Sequence, residues 1–114
     1  MADTTTLCAA SAYEKKYFFN EEFGKLPENI RKELQIMCVI FTEECGGIIS
    51  LEFDKEGELS IRTEADEEDY LYDDVSAGML VNQMRREKEE LFEALERFYK
   101  VFFIMAKEQL KTDE

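Results

Sequence analysis

The chain has 114 residues, 45% hydrophobic and 36% charged, and its 27 acids against 14 bases leave a formal net charge of −13. That length and the supply of large apolar residues predict one folded domain and exclude a disordered chain. The charge repels phosphate backbones and anionic lipid, so neither direct nucleic-acid binding nor membrane docking is expected. No stretch approaches the ~20 apolar residues that a membrane-spanning helix needs.

Residues 1–12 are small and polar and are expected to form a flexible arm, ahead of a single α+β domain over 13–110 and a flexible tail over 111–114. The aromatic run from Tyr13 to Phe23 favours a strand, near 15–23. A short helix over 9–18 is the competing reading. Pro27 and Glu28 suit the first turn of a helix, because proline is preorganised there and a carboxylate favours the positive end of the dipole. This helix is predicted over 27–45 and ends at Gly46-Gly47, a left-handed cap. One stripe runs Ile30, Leu34, Met37, Cys38 and Phe41. Ile36, Val39 and Ile40 add a second, so the C-terminal half is expected to lie buried between the sheet and another element.

Strict alternation in Ile49-Ser50-Leu51-Glu52-Phe53 and in Leu59-Ser60-Ile61-Arg62-Thr63 predicts a β-hairpin over 48–64, one face in the core and one in water. Asp54-Lys55-Glu56-Gly57 carries turn chemistry: an aspartate to bond its own backbone and a glycine for positive φ. Residues 64–74 read as a carboxylate-rich linker, anchored to the core by Tyr70 and Tyr72. A long helix follows over 73–107, capped by Asp73, Asp74 or Ser76, with a bend at Gly78. Met84, Leu91, Phe98 and Met105 recur every seven residues, with Leu95 and Phe102 between them. This is a heptad seam, and a symmetric dimer would bury it.

Three groups of residues in this order have a further meaning: Leu7-Cys8-Ala9-Ala10-Ser11-Ala12-Tyr13-Glu14-Lys15-Lys16-Tyr17-Phe18; Leu34-Gln35-Ile36-Met37-Cys38-Val39 with Phe41-Thr42-Glu43-Glu44 and Gly46-Gly47; and Arg86-Glu87-Lys88-Glu89-Glu90-Leu91-Phe92 with Tyr99. Together they resemble an uncharacterised family of small acidic bacterial proteins, classed as a domain of unknown function. The resemblance covers most of the chain. It implies a bacterial cytoplasmic protein and no activity, substrate or cofactor.

Chemistry-bearing motifs are few. Histidine is absent, which removes the commonest zinc sites, the Ser-His-Asp triad and the Cys-His dyad from a single chain. Cys8, Cys38 and Cys45 form no Cys-x-x-Cys pair and fit a reducing compartment. Cys38 reads as a core residue, Cys8 as part of the arm, and Cys45 as unreactive at a helix C-terminus. Glu89-Glu90-Leu91-Phe92-Glu93 matches the Glu-Glu-x-x-Glu pattern of helical nucleotide pyrophosphatases. The second carboxylate helix that two-metal chemistry needs is missing, so surface charge is the better reading.

The acidity itself is local. Residues 43–74 hold 13 of the 27 acids and only two bases, Lys55 and Arg62. Glu52, Glu58, Glu64, Asp66, Glu67, Glu68, Asp69, Asp73 and Asp74 are therefore a candidate acidic interaction surface. Met84, Leu91, Phe98, Phe102 and Met105 are the candidate dimer seam. The expected fold is α+β: a small antiparallel sheet on the 48–64 hairpin, with a third strand near 15–23, packed on helix 27–45 and long helix 73–107. The expected function is a non-enzymatic protein-interaction or adaptor module, homodimeric and cytoplasmic, that presents its acids to a basic protein partner without catalytic, metal or cofactor residues. The alternative is a divalent-cation or small-molecule module using the 64–74 carboxylates, although no EF-hand spacing is present.

Overall fold

The computed structural model describes residues 4–105, the side chain of Met105 excepted. Strands β1 (Thr5–Ser11), β2 (Lys16–Phe19), β3 (Ile48–Phe53) and β4 (Leu59–Glu64) form one antiparallel sheet in the order β2-β1-β3-β4. Helices α1 (Glu28–Cys45), α2 (Asp74–Glu87) and α3 (Glu89–Tyr99) complete an α+β fold. A 3-10 turn (Glu21–Phe23) precedes α1, and a π-helical turn (Lys100–Met105) follows α3.

The β3–β4 hairpin and its alternation match the prediction. Ile49, Leu51 and Phe53 are fully buried, and Leu59 and Ile61 pair with Phe53 and Leu51 on the same face. In the turn, Asp54 Oδ1 accepts from Glu56 N at 2.8 Å and Glu58 N at 3.0 Å, and Gly57 takes φ +88°. Helix α1 also keeps its predicted bounds. Pro27 is the residue just outside it rather than its first, and Gly46 and Gly47 follow it at φ +78° and +69°.

The N-terminal arm is a correction. Thr5–Ser11 is an interior strand, paired with β2 on one side and β3 on the other. A bulge at Leu7 puts Leu7 and Cys8 both into the core, so the period-two signature of a strand is broken in sequence. Small residues suit it to its place. Cys8 and Ala10 lie under α1, with Cys8 Sγ 3.8 Å from Cys38 Sγ. The strand expected near 15–23 is shorter, Lys16–Phe19, because Asn20 caps the 3-10 turn by accepting from Glu22 N.

The single long helix is a second correction. The chain breaks direction at Lys88 (φ −111°, ψ 23°), ten residues beyond the expected bend at Gly78, which is an ordinary helical residue. The cause is tertiary. Helix α2 packs on α1, whereas α3 packs on β4 and the sheet end, and one straight rod cannot lie along both. Lys88 Nζ meets Glu33 Oε1 at 2.7 Å, tying the break to α1. The predicted extension to Lys107 lies outside the described residues.

At the far end of the sheet the side chains of Phe23, Phe53, Tyr99 and Phe103 stack at centroid separations of 4.4 to 5.6 Å along Phe23–Phe53, Phe53–Tyr99, Tyr99–Phe103 and Phe23–Phe103. Each such pair adds about 0.5–1.5 kcal/mol beyond its area. Leu59 N donates to Glu96 Oε2 at 2.8 Å, so α3 also satisfies the outer strand β4 where the hairpin turn ends.

Candidate functional site

The predicted acids lie at several places on the fold. Glu58 sits at the turn end of the hairpin and Glu64 at its other end, roughly 20 Å away for six residues of strand, with Glu52 between them opposite Ser60. Glu52 accepts from Ser50 Oγ at 3.0 Å, and its neighbours across the strands are Thr6 and Ser60. Asp66, Glu67, Glu68 and Asp74 are exposed on the linker and the start of α2. Two of the acids already have structural duties. Tyr13 Oη donates to Asp69 Oδ2 at 2.6 Å and accepts from Asp66 N at 3.0 Å, which holds the linker to the β1–β2 turn, and the bond to Asp69 raises the phenol's pKa. Asp73 caps α2, accepting from Ser76 Oγ at 2.8 Å and Val75 N at 2.9 Å, and these bonds hold its carboxyl below the usual range. Among the described residues no three cysteine, aspartate or glutamate side chains converge closely enough to hold a metal ion.

The expected aromatic anchors divide. Tyr72 packs against Gly47 and the core, whereas Tyr70 is 91% exposed and Leu71 even more so. Tyr13, not Tyr70, does the anchoring, because its hydroxyl reaches two groups of the linker at once.

The residues of the expected seam have different surroundings. Met84 is buried against α1, Leu91 and Phe98 are half-buried against the core, and Phe102 is exposed beside Phe98. The side chain of Met105 lies outside the described residues. The break at Lys88 also turns Met84 and Phe98 toward different neighbours, so a heptad in sequence is not one stripe in space.

The unexpected site is a groove of about 670 Å³ between α1 and α2. Ile36, Met37 and Ile40 form one wall, and Leu80 and Met84 the other. The all-round apolar half of α1 was expected to be buried, but α2 covers only one side of it. Ile36 stays 58% exposed and Ile40 40% exposed, and Met79 and Val75 of α2 are exposed nearby in sequence. The two helices run antiparallel, with Glu33 beside Lys88 at one end. At the other end Glu44 lines the groove, and Glu44 and Asp73 both bear on the Cys45 thiol, which burial first and then these charges push up. The groove thus has an apolar floor, with Glu44 at one end and the Glu33–Lys88 pair at the other. Its signal in the sequence was the second α1 stripe, since apolar surface of that kind can mark a docking site as well as a core.

The thiols offer no nucleophile. Cys8 is fully buried, which corrects its placement in a flexible arm, and Cys38 beside it is raised by the hydrogen bond with Cys8 and by burial. Burial likewise pushes the Tyr17 phenol up, and its oxygen has no hydrogen-bond partner among the described residues. Glu89, Glu90 and Glu93 are exposed on α3, as surface charge should be. Among the described residues no helix is long and apolar enough to cross a membrane.

Residues 4–108 match the family described as "Family of unknown function (DUF6145)", and the chain belongs to that family. No curated protein and no solved structure matches the chain.

Proposed function

We propose that this protein is a non-enzymatic interaction module of the cytoplasm that receives an amphipathic helix from a partner protein in the α1–α2 groove. The observation that carries this reading is the exposure of Ile36 and Ile40 along an apolar groove. A helix laid in such a groove buries its apolar stripe at i, i+3, i+4 and i+7 spacing. Glu44 at one end of the groove, with Asp73 bearing on the same Cys45 thiol, favours lysine or arginine at the end of that helix near them. Charge of this kind speeds encounter and sets orientation more than it raises affinity.

The test uses two synthetic peptides of about 16 residues, four helical turns or so. They share one leucine stripe and differ in carrying lysine or glutamate at one end. Fluorescence anisotropy is expected to show the lysine peptide binding the full chain more tightly, with the preference shrinking at high salt. Ile36→Asp with Ile40→Asp is expected to abolish binding. Absence of binding, equal affinity for the two peptides, or binding that survives the double substitution would each remove the proposal.

A further inference from the structure

The helices cover one face of the sheet, the one that carries Cys8, Ala10, Ile49, Leu51 and Phe53. On the other face not one side chain is buried. Strand alternation and register order that face in rows. One row runs Lys16, Ser11, Ile48, Glu64 across β2-β1-β3-β4, and the next runs Phe18, Ala9, Ser50, Arg62. The middle of each row is small except for Ile48. The ends carry a cation or an aromatic ring opposite an anion or a cation, and Phe18 is 55% exposed.

This pattern complements itself. Consider two copies laid face to face about a two-fold axis parallel to the strands. The axis keeps each row in place and exchanges its ends, so β2 of one copy faces β4 of the other. Lys16 then meets the second copy's Glu64, and Arg62 meets the ring of its Phe18, each contact occurring twice. A cation over an aromatic face and an opposite-charge pair are both attractive. Between them Ala9 lies over Ser50, and the small Ser11 leaves room for Ile48. The other in-plane axis, across the strands and through the second row, lays Arg62 on Arg62 and loses the Lys16–Glu64 pairing.

We infer that the open sheet face is a homodimer interface in which a second copy of this chain packs face to face, paired through Lys16–Glu64 and Phe18–Arg62. It is distinct from the groove, and failure of either proposal leaves the other standing. Four strands of about six residues give a face of roughly 20 by 20 Å. That is small beside a standard interface of ~800 Å² per partner, so the dimer is reversible rather than obligate.

Sedimentation equilibrium of the full chain, from about 10 μM to 1 mM, spans the range where a small interface dissociates. The wild type is expected to shift from monomer to dimer. Lys16→Glu and Glu64→Lys are each expected to weaken the dimer by about tenfold or more, since each sets like charges face to face at two contacts. The double variant K16E/E64K is expected to recover it. Both positions are exposed, and circular dichroism checks that each variant stays folded. Recovery in the double variant is what misfolding cannot imitate. A wild type that is monomeric throughout overturns the inference. So does a dimer indifferent to both single substitutions, or one abolished instead by the Ile36→Asp and Ile40→Asp pair.

Discussion

The two ends of the core handle apolar residues in opposite ways. At the closed end, the 3-10 turn, β3, α3 and the π-turn bring Phe23, Phe53, Tyr99 and Phe103 into one stack, and Phe23 and Phe53 are wholly buried. At the open end, α1 and α2 diverge over Ile36 and Ile40 and leave both partly in water. Helical periodicity alone does not separate the cases, because α1 and α3 both present apolar residues at three- and four-residue spacing. The number of neighbouring elements separates them. The closed end is enclosed from several sides, whereas the groove has two walls. Apolar area that a fold leaves uncovered contributes little to its own stability and remains free to contribute to association.

Substitutions can break that comparison. Phe53→Ala, which empties the middle of the stack, is expected to cost about 3–5 kcal/mol, against about 0.5 kcal/mol or less for Ile36→Ala. Urea denaturation of both variants reads the difference, and equal losses would mean that the groove is closed in solution. The glycines sharpen it further. Gly47 sits at φ +69°, and a Cβ there would lie 2.7 Å from the Tyr72 ring and 2.8 Å from the Glu64 carbonyl oxygen. Gly47→Ala should therefore cost about 1–3 kcal/mol. Gly78 has open space around it in α2, and Gly78→Ala should raise stability by about 0.5–1 kcal/mol. A loss at Gly78 would show that the outer side of α2 is covered.

The smallest effect is expected at the start of α2. The hydrogen bonds from Ser76 and Val75 depress the folded pKa of Asp73 below its ordinary 3.8. A depressed carboxylate stabilises the fold above its unfolded pKa, and that stability fades as pH falls through the folded value. Asp73→Ala should thus lower the urea midpoint at pH 7, and the gap to wild type should narrow below about pH 4. A gap that stays constant with pH would mean that the cap acts without its charge.

The acidic linker and the groove illustrate how far the site was legible. The concentration of carboxylates over 43–74 is a property of composition, and the structure leaves most of them exposed. Their grouping is not. Glu58 is parted from Glu64 by the length of a strand, and Asp69 and Asp73 are held by Tyr13 and by the α2 backbone. The apolar half of α1 was visible as a pattern, but whether a neighbour covered it depended on where α2 turned. The heptad of Met84, Leu91 and Phe98 survived in sequence across the break at Lys88, because a single non-helical residue shifts direction without disturbing the spacing.

The β3–β4 hairpin and the limits of α1 were determined by the sequence alone. Their signals are local: alternation over a few residues, an aspartate that bonds its own turn, a proline before a helix and glycines after it. Tertiary structure alone decided that Thr5–Ser11 lies inside the sheet, that the C-terminal helix breaks at Lys88, and that one face of the sheet and one groove stay open. Those outcomes depend on partners far along the chain. Thr5 pairs with Phe53, and Lys88 with Glu33. No short window of residues contains both members of such a pair, and burial is a property of the pair rather than of either residue.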